Sequence, residues 1–121
     1  MVTIADIADG ASNTYLVGEK HLNSDSYFTG TDGGDNGAFP QGANADNSRW
    51  SAASYPTSLL PPMQDTPGNS NDLCFGSAHS DAFNMAFCDS SVRAVAYTID
   101  VETHRRLSNR KDGMPADPMK L

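Results

Sequence analysis

The stretch from Phe75 to Arg93 limits the fold of this chain more than any other segment. Over residues 83–88, large apolar side chains alternate with smaller or polar ones, as on a half-buried β-strand. Asp89-Ser90 then supplies residues that favour a two-residue hairpin turn, which predicts antiparallel strands over 83–88 and 91–99. The resulting register places three pairs on one face: Phe87 with Val92, Met85 with Ala94, and Phe83 with Ala96.

Serine is an unusual residue at position 90 of such a turn. A type I′ turn needs positive φ at both central residues, and glycine adopts this conformation without strain. We expect a serine there to cost about 1 kcal/mol. The alternative is a wider loop over Asp89, Ser90 and Ser91, which would shift the register.

A third strand is predicted before this hairpin. If Ser80-Asp81-Ala82 forms a three-residue loop, the chain folds into a meander of strands 73–79, 83–88 and 91–99. This register places Phe75 opposite Phe87, Ser77 opposite Met85, and Cys74 opposite Cys88.

Two short helices are predicted near the ends of the chain. Thr3 and Asp6 fit a capping box, which favours a helix over residues 4–9. Asp100 is a favourable N-cap for a helix over residues 101–107.

The rest of the chain is one further strand and a long irregular region. Residues 12–19 are rich in strand-forming side chains. Residues 21–73 hold most of the glycine, asparagine and proline, so they predict a long irregular loop region in which apolar residues occur singly. The predicted fold class is α+β, mainly β, with an antiparallel sheet in a single domain over residues 1–121.

Composition narrows the classes of partner. The formal net charge is −7 at pH 7, which disfavours nucleic acid because phosphate binding requires clustered lysine and arginine. The acidic residues are 13 Asp and only 2 Glu, beside 9 Asn and 10 Gly. These residues favour turns, and their side-chain oxygens also suit calcium.

Two sets of loop residues are candidates for binding. Asp32, Asp35 and Asn36 lie in an acidic glycine-rich loop and are candidate calcium ligands, which Asp46 and Asn47 would assist. This loop lacks the ligand spacing of an EF-hand, so a solvated flexible loop is the competing interpretation. Four aromatic residues in the same region suit either an exposed platform or, as we expect, anchors that hold the loop on the sheet: Tyr27, Phe28, Trp50 and Tyr55.

His79 and Asp89 suggest a catalytic pair in which a carboxylate orients a histidine base. The predicted register argues against this function, because six residues of strand, or roughly 20 Å, separate them. We interpret each as fixing its own turn: His79 through a side-chain hydrogen bond to nearby backbone, and Asp89 through an Asx-type bond. The sequence therefore predicts no catalytic residues, and a hydrolase is the weakest hypothesis.

The spacing of His79 and Asp89 resembles the H-X9-DG signature of the prepilin-type, pseudopilin-like proteins of the DUF1559 family. The segment Asp9–Glu19 resembles a second recurrent segment of that family, a DG-x-SNT strand that ends in Gly-Glu. Similarity extends to Tyr97–Leu107, while Ser90 departs from the glycine of the signature.

This resemblance bears on the two cysteines. Directly opposed residues of antiparallel strands have Cα atoms about 4.5–5.5 Å apart, which suits a disulfide, and an exported protein would favour a Cys74–Cys88 bridge. Two free buried thiols are the alternative.

The resemblance also implies location and function. Such proteins begin with an apolar pilin-type helix that this sequence lacks, so we expect the globular head of a longer precursor, which meets the membrane only through that helix. The implied function is a non-enzymatic structural or interaction module, exported to the cell envelope, periplasm or extracellular surface by a type II secretion or pilus-like system. Its expected partners are other pseudopilin-like or envelope proteins, and no cofactor is required. The alternative is a calcium-dependent module that binds glycans or other extracellular polymers.

Overall fold

A computed structural model describes residues 1–37 and 42–116. Its strands are β1 (Tyr15–Gly18), β2 (Ala52–Ser54), β3 (Ser58–Leu59), β4 (Met63–Gln64), β5 (Gly76–Ser77), β6 (Ala82–Phe87) and β7 (Val92–Ala96). Helix α1 spans Val101–Leu107, and three short 3-10 turns cover Ile4–Asp6, Ala11–Asn13 and Ser24–Ser26. The predicted class, α+β and mainly β, is confirmed.

The main sheet has three antiparallel strands in the order β1-β6-β7. The side chains of β6 alternate between buried and more exposed positions, as the sequence predicts, and Phe83, Met85 and Phe87 are fully buried on one face. Leu107 of α1 and Val95 of β7 complete the centre of this core. The helix therefore covers one face of the sheet, and the apolar residues between the two layers hold the fold together.

The predicted register of the β6–β7 hairpin is wrong by one residue. Phe83 pairs with Val95 rather than with Ala96, so Val95 is buried and Ala94 is exposed. The backbone closes between Phe87 and Ser91, where the Phe87 amide donates to the Ser91 carbonyl at 2.8 Å. The loop thus has three residues, of which the last adopts the left-handed conformation that this loop type requires.

That left-handed residue is Ser90, with φ of +70°. Strain at this position is expected from the sequence. The third loop residue explains why the register differs from the prediction. A three-residue loop reverses which side chains of β7 face the core, because successive side chains of a strand point to opposite faces.

The predicted meander over 73–79, 83–88 and 91–99 is also wrong in its first strand. β1 lies beside β6 instead, with Tyr15 paired to Phe87 and Gly18 to Met85. From the predicted first strand only β5 forms, and it pairs in parallel with β4. Gly76 makes this possible, since a β-carbon there would lie 2.0 Å from the carbonyl oxygen of Met63.

Of the two helices predicted near the ends of the chain, the C-terminal one forms as predicted and the N-terminal one does not. Helix α1 is confirmed over 101–107, and the Asp100 side chain accepts a hydrogen bond from the Thr103 amide at 2.8 Å. The capping box of Thr3 and Asp6 forms as well, but it closes a 3-10 turn over Ile4–Asp6 rather than a helix to residue 9.

The region 21–73 is less irregular than the sequence suggests, because three short strands, β2, β3 and β4, interrupt it. Within residues 1–37 and 42–116, no helix has both the length and the apolar character needed to cross a bilayer.

Candidate functional site

Asp89 and His79 lie on the two sides of β6, each with partners of its own. Asp89 Oδ1 accepts hydrogen bonds from the Ser91 amide at 2.9 Å and from the Ser91 hydroxyl at 2.7 Å. These bonds, with the Arg93 guanidinium 3.3 Å from Oδ2, hold the pKa of Asp89 below its ordinary value. The contacts are those of an Asx-type turn.

The His79 side chain faces Glu19 rather than the nearby backbone, which corrects the interpretation of its turn. Its Nε2 lies 3.4 Å from Glu19 Oε1, and the imidazole is 63% exposed. The other oxygen of Glu19 accepts hydrogen bonds from the amide and the side chain of Asn84 at 2.6 and 3.2 Å. Glu19 therefore joins the end of β1 to β6 and to the turn before it, a contact that has no signal in the sequence.

The acidic loop is organised by a lysine. Lys20 Nζ donates to Asp35 Oδ1 at 2.5 Å, to the Gly34 carbonyl at 2.8 Å and to the Asp46 carbonyl at 3.0 Å. Asp32, which is buried, accepts instead from the backbone amides of Gly34 and Asn23, at 2.8 and 2.9 Å. An ammonium group thus lies among the oxygens that a loop-bound cation would use.

The predicted calcium set is therefore not assembled as one site. Asp32 is bound to backbone amides, Asp35 is paired with Lys20, and Asn36 is exposed. Among the residues that the structure describes, no group of three or more His, Cys, Asp or Glu side chains is placed to hold a metal ion. Calcium binding stays a prediction, which a titration can test.

The predicted opposition of Cys74 and Cys88 is wrong, and both thiols are free. Cys88 Sγ lies 3.6 Å from the carbonyl oxygen of Tyr15, whereas the Cys74 carbonyl accepts from the His21 amide at 3.2 Å. The two cysteines therefore contact opposite ends of the segment that contains β1. Six residues of extended chain, or roughly 20 Å, lie between these ends.

The four loop aromatics are more exposed than anchors of a loop would be. Phe28 is 100% exposed, and Tyr27, Trp50 and Tyr55 also keep a large accessible fraction. Tyr55 packs against the guanidinium of Arg105, whose Cζ lies 4.4 Å from the ring centroid. The expectation that these residues are buried against the sheet is therefore wrong for Phe28.

The most distinctive surface is a groove along β1, which we call the β1 groove. It consists of three adjoining cavities of about 410, 860 and 420 Å³, and Leu16 lines all three. Leu16 is 63% exposed and Val17 66% exposed, although both belong to a strand of the main sheet. Val2 and Ile4 extend the apolar surface at one end, and Trp50 at the other.

The β1 groove is basic in an acidic protein. Five basic residues line its cavities: Lys20, Arg49, Arg105, Arg110 and Lys111. No acidic residue of the described chain lines any of the three, although the protein carries 15 Asp and Glu. The surface thus combines exposed apolar side chains with positive charge, which suits a partner that is both apolar and acidic.

A buried histidine lies beneath this groove. His104 is fully buried, its Nδ1 lies 3.2 Å from the hydroxyl of Tyr15, and its Nε2 has no hydrogen-bond partner among the described residues. Burial lowers the pKa of His104 from its ordinary value of 6.5 to about 4, and raises the pKa of Tyr15. Neither residue stood out in the sequence, because burial depends on which segments pack together.

Comparison with known proteins identifies a family. Residues 1–102 match the family described as "Protein of unknown function (DUF1559)". No curated protein and no solved structure matches the chain.

Proposed function

The chain belongs to the DUF1559 family of proteins of unknown function, and we propose that it is the globular head of a pseudopilin-like protein of the bacterial cell envelope. Its role is structural or interactive rather than enzymatic. The resemblance of its His79…Asp89 spacing to the H-X9-DG signature supports this proposal. The contacts of the two residues support it too, because each stabilises a local junction of the main sheet rather than a shared cleft.

The β1 groove is the single observation that carries the interaction role. A soluble protein seldom leaves large apolar side chains of a sheet strand exposed next to one another, unless a partner covers them. Leu16 and Val17 are such a pair, and the cavities beside them provide depth for partner side chains.

The proposal includes export and a class of partner. The protein is delivered by a type II secretion or pilus-like system, is tethered through the N-terminal helix of its precursor, and meets other pseudopilin-like or envelope proteins at its surface. The acidic net charge of −7 is compatible with such a protein–protein role.

Site-specific photo-cross-linking in cells of the source bacterium tests the proposal. A benzoylphenylalanine replaces Leu16 in one variant and Val92 in a control; Val92 is 69% exposed on β7, at the opposite edge of the sheet. We expect the protein in the envelope or extracellular fraction, with cross-linked envelope proteins at position 16 only. A cytoplasmic protein, or equal cross-linking at both positions, would contradict the proposal.

A further inference from the structure

The strand that lines the groove is an edge strand. β1 pairs with β6 on one side, and on its other side the described chain pairs only after the strand ends, at the bridge between Lys20 and Phe75. Residues 15–18 therefore have no strand beside their outer edge within the described part of the chain. Such an edge is a template for one more strand, supplied by a bound peptide.

The dimensions of the groove favour an extended ligand over a compact one. A pocket for one small molecule has a volume of roughly 300–1,000 Å³. Here three cavities adjoin, two of about 410 and 420 Å³ and one of about 860 Å³, and Leu16 is common to them. Their linings run from Val2 and Ile4 to Asn47 and Ser48, so they follow β1 along its length.

The charges of the groove indicate what the ligand carries. Lys20 and Arg105 are already paired with acidic side chains of the protein itself. Arg110 and Lys111 are exposed and form no salt bridge with a described acidic residue. These two residues flank the largest cavity, whose other walls include Ile4 and Leu16.

A third basic group has an unmet hydrogen bond. The Nε of Arg49 is buried and has no partner among the described residues, and burial lowers the pKa of this guanidinium. Arg49 lines the two smaller cavities. The terminal nitrogens of Arg49 donate to backbone carbonyls, so only its Nε is left without a partner, and Arg110 and Lys111 are the cations that remain without a salt bridge to a described residue.

We propose that the β1 groove binds an extended acidic peptide segment, which adds to the outer edge of β1 as a strand. Alternate apolar side chains of the segment pack on Leu16 and Val17, and its carboxylates meet Arg110 and Lys111. The segment belongs to a partner protein, so this inference rests on the proposed interaction role and specifies the chemistry of the partner.

Fluorescence anisotropy with synthetic peptides tests the inference. The first probe is a labelled peptide of about ten residues that alternates valine or leucine with aspartate or glutamate. The second carries lysine in place of every acidic residue, and the third is the acidic peptide with N-methyl groups on alternate backbone amides. We expect the first to bind at least about tenfold more tightly than either of the others, and more weakly as salt is raised.

Variants of the protein locate the site. Leu16→Lys and the double change Arg110→Ser with Lys111→Ser should each weaken binding of the acidic peptide at least about fivefold. The matched control is Val92→Lys, which places the same charge at a similarly exposed valine of the opposite edge strand and should leave binding unchanged. Circular dichroism verifies that each variant folds, and the serine variant changes only exposed side chains.

Several results would overturn the inference. They are equal binding of the acidic and basic peptides, full binding of the N-methylated peptide, or equal loss in the Val92→Lys control. Displacement of the acidic peptide by dodecanoate at equal molar concentration would also overturn it, and would indicate a site for anionic amphiphiles. Cross-linking at position 16 without any preference for acidic peptides would overturn this inference alone and leave the interaction role intact.

Discussion

His104 lies within 6 Å of three aromatic rings, at centroid distances of 5.5 Å to Tyr15, 5.5 Å to Phe75 and 5.9 Å to Phe83. A charged imidazole at this position would lose its hydration without gaining an acidic partner, which is why burial lowers its pKa to about 4. Lys20 shows the opposite case of a cation that contacts three oxygens, the Asp35 carboxylate and the carbonyls of Gly34 and Asp46. Substitution of either residue should change the free energy of unfolding.

Protonation of His104 should destabilise the protein in mild acid. The unfolded chain takes up a proton as the pH falls below 6.5, whereas the folded protein does so only near pH 4. The free energy of unfolding should therefore fall between these values, by up to about 3 kcal/mol, and denaturant unfolding at several pH values measures this loss. His104→Gln should flatten this dependence, and His79→Gln, which changes an exposed histidine, should not.

Carboxylates do not explain a loss of stability in the upper part of that window, above about pH 5.5. The pKa values of Asp89, Asp100 and Asp112 are lowered from 3.8, and that of Glu102 is lowered from 4.5 to about 2. Their contributions to stability are present above these ordinary values and disappear only as the pH falls further. An unchanged slope between pH 6.5 and about 5.5 in His104→Gln would contradict the assignment.

Removal of the Lys20 ammonium should loosen the acidic loop. Lys20→Met keeps most of the apolar stem but removes the donor to Asp35 and to the Asp46 carbonyl, and leaves the Gly34 carbonyl with only the longer bond from Arg49 Nη2 at 3.4 Å. We expect a loss of about 1–2 kcal/mol in the free energy of unfolding, a value reduced because the pair is partly exposed. Lys111→Met is the matched control and should have little effect, since Lys111 is exposed.

The same ammonium group bears on the calcium hypothesis. Because Lys20 already lies among the loop oxygens, we expect no change in the melting temperature of the wild-type protein at millimolar calcium. Thermal melting with calcium, with magnesium and with a chelator measures this effect. A rise in the melting temperature with calcium alone would support the calcium-dependent alternative.

Among the elements, β1 and β6 come from the two segments that carry the family resemblance, Asp9–Glu19 and Phe75–Arg93. The alternation in β6 fixed which of its residues are buried, but not which strand lies beside it. The sequence predicts the segment before β6, residues 73–79, beside it and predicts no partner for the strand at 12–19. The close approach of Gly76 to the Met63 backbone instead allows β5 to pair with β4, and β1 pairs with β6.

The β6–β7 hairpin should be stabilised by glycine at position 90. Ser90 has φ of +70°, where a β-carbon is unfavourable, whereas glycine costs more conformational entropy on folding. We therefore expect Ser90→Gly to raise the free energy of unfolding by about 0.5–1 kcal/mol in denaturant titrations. Ser90→Ala keeps the β-carbon and should bring no gain; equal stability of the two variants would argue against the left-handed loop residue.

Across the molecule, basic and acidic residues are unevenly distributed. Basic residues gather along the β1 groove, while the acidic residues of the described chain lie outside it. The positions of the cysteines depend on the same long-range arrangement, because the segment containing β1 separates them.

The two thiols should be free and unequal in reactivity. Cys74 is buried and Cys88 is half-buried, and burial raises the pKa of both thiols. Without reductant, an alkylating reagent should modify Cys88 at least about tenfold faster than Cys74 in the folded protein, and both in denaturant. Mass spectrometry after each reaction measures the modification. A mass that corresponds to an internal disulfide would contradict the placement of β1 between the two cysteines.

Features that depend on residues close together in the chain could be predicted from the sequence. The alternation of Phe83, Met85 and Phe87, the cap at Asp100 and the strain at Ser90 were all evident from it, because each follows from local backbone geometry. Three other features became evident only in the fold: β1 lies beside β6, Lys20 enters the acidic loop, and Leu16 lies exposed in a basic groove. These features depend on contacts between residues far apart in the chain, where several pairings satisfy the same local pattern and total packing selects one.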